Sequence, residues 1–261
     1  MIKRAALETI QDSRLCIAKL EQAIVSRVAD SRAIEILEAG CGRQWDLRLG
    51  GLPYRLTGID LDREALDYRL HVVKDLHEGI LGNLSDHDFR DRQFDVVYSA
   101  FVLEHIEHAD KVMRQFARWL RPGGLLILAI PDPDSAYGFV TRMTPHWFHV
   151  QYYRRLYGFK DAGKPGFGPY KTHYDRLVSR DGIHEFCARN DLAIFAEYGT
   201  RNGPPRQAWR KTVIRVATGA IALLSFGRLA SKHDNLLYII QKGVRATRNQ
   251  GSAQSPENNA S

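Results

Sequence analysis

Cysteine is scarce and scattered. Cys16, Cys41 and Cys187 are odd in number, lie far apart and share no C-x-x-C spacing, which argues against both a disulfide framework and a zinc site. Long apolar runs are also missing. The amino terminus, Met-Ile-Lys-Arg-Ala-Ala-Leu-Glu, reaches an acid before any apolar stretch long enough for a signal peptide. The stretch 213–226 is apolar apart from Arg215 and a few small residues, and it is too short and interrupted to span a bilayer. No internal repeat, no low-complexity block ahead of the tail and no sustained heptad occurs. No histidine pair shows the H-x-x-x-H spacing with a carboxylate nearby; His146 and His149 stand three apart beside a proline, so no metal is expected. A net charge of +7 invites anionic partners, but there is no recognition module and no tight basic-aromatic platform, so no nucleic acid is expected. A reducing cytoplasm is the expected compartment.

The 261 residues, 44% of them hydrophobic, are enough for one large α/β domain. That domain is expected to span 1–244, with an insertion over 131–180 and a disordered polar tail over 245–261. The organising stretch is Ile-Glu-Ile-Leu-Glu-Ala-Gly-Cys-Gly-Arg-Gln-Trp at 34–45. An apolar run over 33–37 ends in the acid Glu38, and Gly40 and Gly42 then let the backbone turn sharply and approach a ligand with no Cβ in the way. A dinucleotide fingerprint would need a third glycine, where Trp45 stands. A second strand, over 54–59, ends in Asp60, whose carboxylate can accept from both hydroxyls of a ribose.

Two further landmarks follow: Phe94-Asp95-Val96-Val97 leading to Val102-Leu103-Glu104-His105, and Leu120-Arg121-Pro122-Gly123-Gly124 ahead of an apolar strand. With Glu38-x-Gly40-x-Gly42 and Gly58-Ile59-Asp60, these four motifs, in this order and spacing, resemble the class I S-adenosylmethionine-dependent methyltransferases over about residues 30–130. The resemblance implies a Rossmann-like, doubly wound, mostly parallel sheet of seven strands in the order 3-2-1-4-5-7-6, with strand 7 antiparallel and a cap inserted after strand 5. It implies that Glu38, Gly40, Cys41 and Gly42 face the methionine part of S-adenosylmethionine, Asp60 the ribose, Leu61, Asn83 and Leu84 the adenine, and backbone near Ala100 the amino group. Asn83 stands where an aspartate is commoner, and its side-chain carbonyl can still accept from the adenine amino group.

Around this core, the periodicity predicts an amphipathic helix over 4–29, helices over 62–73, 110–120 and 179–190, and strands near 80–81 and over 94–99, 125–130, 192–198 and 235–241. The stretch 131–180 reads as irregular, rich in rings, proline and glycine, and suits an acceptor pocket. Its His146, His149, His173 and Tyr174 are candidates for acceptor contact, against packing within the cap. His105 is a candidate general base, against a histidine that only holds its loop. The basic-flanked apolar segment 206–232 either packs on the fold or lies peripherally on the inner face of a membrane. The expected function is methylation of a hydroxyl on a sugar, glycan or other small metabolite, as in bacterial enzymes of surface-glycan or metabolite assembly. The alternatives are a quinone or lipid methyltransferase, or a non-catalytic, membrane-associated cofactor-binding partner.

Overall fold

The computed structural model describes residues 7–28, 32–164, 168–173, 175–201, 208–226 and 228–244. Eight strands form one sheet: β1 (Glu8–Ile10), β2 (Ile34–Ala39), β3 (Tyr54–Asp60), β4 (Glu78–Leu81), β5 (Phe94–Ala100), β6 (Leu120–Pro131), β7 (Leu192–Thr200) and β8 (Asn235–Lys242). Their spatial order is β1-β7-β8-β6-β5-β2-β3-β4. All neighbours run parallel except β8, which is antiparallel to both β6 and β7. From β2 onward this is the expected order, with β8 as the antiparallel strand. The sheet has eight strands and not seven because Glu8–Ile10, expected to begin the leading helix, pairs with the edge of β7 at Tyr198–Thr200. The leading helix, α1 (Ser13–Val28), therefore starts later than its periodicity suggests.

Alternation within the strands supplies two cores. Leu37, Ala39, Ile59, Val97, Leu126 and Leu128 face one side, under α3 (Ala109–Trp119) and α6 (Arg180–Arg189). Ile34, Ile36, Leu56, Val96, Leu125 and Ile127 face the other, under α1 and α2 (Arg63–Tyr68). A strand covered on both faces reads as a nearly continuous apolar run, as β5 does with Asp95 and Ser99 its polar exceptions. On the first face Trp119 meets the Phe89 and Phe116 rings at 4.9 and 5.9 Å. Each ring buried there stabilises the fold by roughly 1.5–3 kcal/mol.

The stretch after β6 is more regular than expected: α4 (Ala136–Met143), α5 (His146–Tyr152) and a π turn over Tyr153–Tyr157 occupy it. Ser135 caps α4 by accepting from the Gly138 N–H at 2.9 Å. The apolar segment after β7 forms α7 (Ala208–Leu224), and the tail from 245 lies outside the described residues.

Candidate functional site

The glycine turn forms as β2 runs out. Gly40 and Gly42 take φ of 73° and 52°, in the left-handed region that side chains disfavour. A Cβ at Gly40 would lie 2.3 Å from Val102 Cγ2, so only glycine lets the turn pack on the loop after β5. A Cβ at Gly42 would meet nothing within 4 Å: that side of the turn is open. The turn is sewn to β3 where Gly40 N–H and Cys41 N–H donate to the Ile59 carbonyl at 2.9 and 3.3 Å.

Asp60 is fixed in the same stitch. Its Oδ2 accepts from Gly42 N–H at 2.8 Å and its Oδ1 from Asp62 N–H at 2.9 Å. Each carboxylate oxygen has a second lone pair for another donor. Asp62 in turn caps α2 by accepting from Ala65 N–H at 3.1 Å. Leu61, between the two acids, is 73% exposed, an apolar side chain at the rim of the strand ends.

Beneath the turn lies a buried ion cluster. The Arg69 side chain is fully buried, and its Nη1 donates to Glu38 Oε2 at 2.7 Å and to the Cys41 carbonyl at 2.8 Å, while Nε donates to Asp75 Oδ1 at 3.0 Å. Burial pushes the Glu38 carboxyl up to about 8, against the opposing pull of Arg69. Glu38 thus holds the turn from below through Arg69, and the Cys41 side chain is packed with it. Trp45, in the third-glycine position, sets its indole edge-on to Tyr98 at 5.4 Å in the second core.

Asn83 Oδ1 accepts from Ser85 N–H at 2.9 Å, and the Leu84 side chain is buried in the first core. Ala100 ends β5, and Phe101 follows in a left-handed conformation with its N–H bonded to the Ala129 carbonyl at 2.9 Å.

The turn Leu103–His105 then carries the titratable groups. His105 Nδ1 lies 2.8 Å from the Lys171 carbonyl. A carbonyl can only accept, so Nδ1 bears the hydrogen and Nε2 keeps its lone pair. Desolvation lowers the His105 pKa, which keeps that lone pair available. Burial pushes the Glu104 carboxyl up to about 7. Residues 170–173 form a strap over this turn: His173 N–H donates to the Glu104 carbonyl at 2.7 Å, and the Tyr170 ring stands edge-on to His105 at 5.6 Å. Burial, and then the charges of Asp62 and Asp60, raise the Tyr170 phenol above its ordinary value.

The structure thus gathers Gly40, Gly42, Asp60 and Leu61 at one strand end, and His105 and His173 at the next. His149 goes elsewhere: its Nε2 lies 2.8 Å from Thr144 Oγ1 and 3.1 Å from the Thr144 carbonyl, closing the corner between α4 and α5. His146 begins α5 and is exposed, and Tyr174 lies outside the described residues. Two residues of interest were not singled out by sequence reasoning. Glu104 was visible only as a letter of the Val-Leu-Glu-His run, and Tyr170 only as one ring of an aromatic stretch. Among the described residues no group of three metal-ligating side chains occurs.

Residues 37–128 match a family described as a methyltransferase domain. Phosphoethanolamine N-methyltransferase 3 of Arabidopsis thaliana is 25% identical over 169 residues, 58% of this chain and 31% of that protein. The chain therefore spans under a third of that relative's length. An S-adenosylmethionine-dependent methyltransferase from Mesorhizobium loti shares the fold with a TM-score of 0.52 at 16% identity, over 85% of this chain and 96% of that one. The cyclase SpnF shares it equally, with a TM-score of 0.52 at 16% identity over 91% and 86% of the two chains. Fold likeness at such identity fixes architecture and leaves chemistry to the site.

Proposed function

From the premise that this chain carries a methyltransferase domain of the class I S-adenosylmethionine-dependent family, we propose that it is an enzyme that methylates a hydroxyl of a sugar, glycan or other small metabolite. The carrying observation is the Asp60 carboxylate, held by Gly42 and Asp62 N–H groups beside an open glycine turn. These residues fit S-adenosylmethionine: a carboxylate with lone pairs to spare for a ribose, an exposed apolar Leu61 for the adenine, and a turn face with room for the methionine part. In this reading Asn83 and backbone at Leu84 and Ala100 complete the cofactor site, the Leu84 side chain being buried in the core, while Glu38 supports the turn from beneath through Arg69, which donates to the Cys41 carbonyl.

When bound, the cofactor supplies a methyl group on a cationic sulfur; the acceptor oxygen's electron pair makes the new C–O bond, the S–C pair stays on sulfur, and the hydroxyl proton must leave. His105 Nε2 is the group in position to take that proton, since its Nδ1 is committed to Lys171. An amine that attacks in its free-base form needs no base at that moment, so a base held in this tautomer favours a hydroxyl acceptor. His173 and the strap residues line the acceptor side. Radiolabelled cofactor incubated with a panel of sugars, glycans, phenols and amines tests the reading. Label on hydroxyl-bearing acceptors supports it; label on amines alone overturns the O-methyl assignment.

One observation favours a lipid or lipid-linked acceptor as a second reading. Leu223, Leu224 and Phe226, at the end of α7, are 79%, 78% and 94% exposed. The chain just beyond them is tied to the root of the cap, where Ala136 N–H donates to the Ala230 carbonyl at 2.7 Å and Ala230 N–H to the Asp134 carbonyl at 3.0 Å. Arg206, Arg210, Lys211, Arg228 and Lys232 flank the apolar segment 213–226 in sequence. No helix of the described residues is long and apolar enough to cross a membrane, so the contact would be peripheral.

A further inference from the structure

Glu104 is a buried carboxylate that the fold has not paired. It is 4% exposed, and its Oε2 has no hydrogen-bond partner among the described residues. Its Oε1 lies 3.9 Å from His105 Nε2, the nitrogen that keeps its lone pair. Among the described residues, its one charge partner is that imidazole once protonated. The strap fixes both members from the far side, His105 through the Lys171 carbonyl and Glu104 through the His173 N–H. The other groups facing His105 are the Tyr170 ring and the His173 imidazole, which opposes a positive charge and itself lies 3.8 Å from Glu107 Oε1.

We infer that Glu104 is a positioning residue whose carboxylate makes His105 Nε2 the proton acceptor of the site, so that the two hold the acceptor's proton as a pair. This rests on the methyl-transfer reading above. With Glu104 ionised, the pair carries one buried negative charge before reaction, with no counterion among the described residues. As the C–O bond forms and the S–C bond breaks, the acceptor's proton moves to His105 Nε2, and the pair becomes imidazolium and carboxylate with no net charge. Proton uptake therefore relieves a charge that the fold leaves uncompensated. Simple packing does not account for the residue, since an apolar side chain would fill the same space and leave no buried oxygen without a partner.

The pair titrates together, and this is measurable without any acceptor. Nitrogen-15 NMR of the histidine-labelled full chain, with His105 assigned by its loss in His105→Asn, follows the imidazole between pH 5 and 9. In the wild type His105 is expected as the Nδ1–H tautomer, with a second inflection near neutrality as Glu104 ionises. Glu104→Gln should abolish that inflection and lower the His105 midpoint by on the order of one pH unit. Glu104→Asp, which keeps the charge, should restore part of the shift. A single unshifted inflection in the wild type, or an unchanged midpoint in a folded Glu104→Gln chain, overturns the inference. If Glu104→Gln does not fold, the wild-type titration alone decides. Calorimetry of S-adenosylhomocysteine on the same samples separates the two ideas: coupled titration without binding sinks the methyltransferase reading and spares the pair.

Discussion

Replacing Asp60 tests the cofactor site where its geometry is best defined. The carboxylate accepts one backbone N–H on each oxygen, from Gly42 at 2.8 Å and Asp62 at 2.9 Å, which leaves lone pairs for the ribose of the proposed site. Asp60→Ala removes two charge-assisted bonds to the cofactor, worth roughly 1.5–3 kcal/mol after the exchange with water is counted. At about 1.4 kcal/mol per decade, affinity for S-adenosylhomocysteine should fall roughly tenfold to a hundredfold. Asp60→Asn sharpens the test, because an amide has one oxygen and two donors. It can accept from one of the two N–H groups and must present its own NH2 to the other, so Asn should behave like Ala and not as an intermediate. Isothermal calorimetry with both variants, alongside their melting temperatures, is the assay. An Asp60→Asn chain that binds within twofold of the wild type would refute the reasoning, as would a preference for a nicotinamide dinucleotide.

Glu104→Gln should stabilise the chain at alkaline pH. Its folded pKa of about 7 lies above the ordinary 4.5, so the folded state holds the proton more tightly; stability is full below about 4.5 and is lost as pH rises through 7. At about 1.4 kcal/mol per pH unit the loss amounts to about 3 kcal/mol, and denaturant melts should show the variant about 1–3 kcal/mol more stable at pH 8 and little different at pH 4. Parallel stability curves for the two chains would contradict this. His149→Ala should lose about 1 kcal/mol through its Thr144 contact while turnover per folded molecule and cofactor affinity stay unchanged; reduced turnover at full folding would return His149 to the acceptor site. If the α7 tip rests on a membrane, anionic vesicles should sediment the chain, and Arg210→Glu with Lys211→Glu should weaken that by roughly 2 kcal/mol or more. Binding indifferent to charge reversal and to salt would sink the membrane reading.

The order of the sheet was legible because each landmark is a backbone requirement written in residue type. Gly40 and Gly42 sit at positive φ, Asp60 ends its strand, and β5 is mostly apolar because both faces are covered. The first strand was not legible. Three residues, Glu8–Ile10, carry too little pattern to separate from the helix that follows, and their pairing is decided by the distant edge of β7. The regularity after β6 was hidden for another reason: Pro145 and the glycines suggest a broken chain, but Pro145 stands just ahead of α5, where a missing N–H costs the helix nothing. Glu38 was legible as a residue of the turn and not in its partner, since Arg69 lies 31 positions away and nothing local announces the pair.

The two ends of the sheet satisfy their polar groups very differently, and this bears on where function lies. At the amino-terminal ends of the strands, Asp95 accepts from Arg32, from Arg121 at 2.6 Å and from Glu35 N–H at 2.9 Å. Although burial pushes its carboxyl up, these partners hold it below the ordinary value. Beside it Arg92 donates to Glu78 at 2.8 Å and to Thr57 at 2.7 Å. Charges there are answered by charges. At the carboxyl ends Glu38 is answered by Arg69, but among the described residues Asp60 is answered only by backbone, Gly42 faces open space, and Glu104 leaves an oxygen without a partner. A fold that pairs buried Asp95 at one end and buried Glu38 at the other, yet leaves an oxygen of Glu104 unanswered, sustains that cost of several kcal/mol at one place. The strap 170–173 crosses that place, holding the His105 side chain through the Lys171 carbonyl and the Glu104 main chain through the His173 N–H. If His105 is the proposed base, displacing the strap should lower turnover by freeing His105 and Glu104 together, whereas displacing α5, whose His149 bonds Thr144, should not.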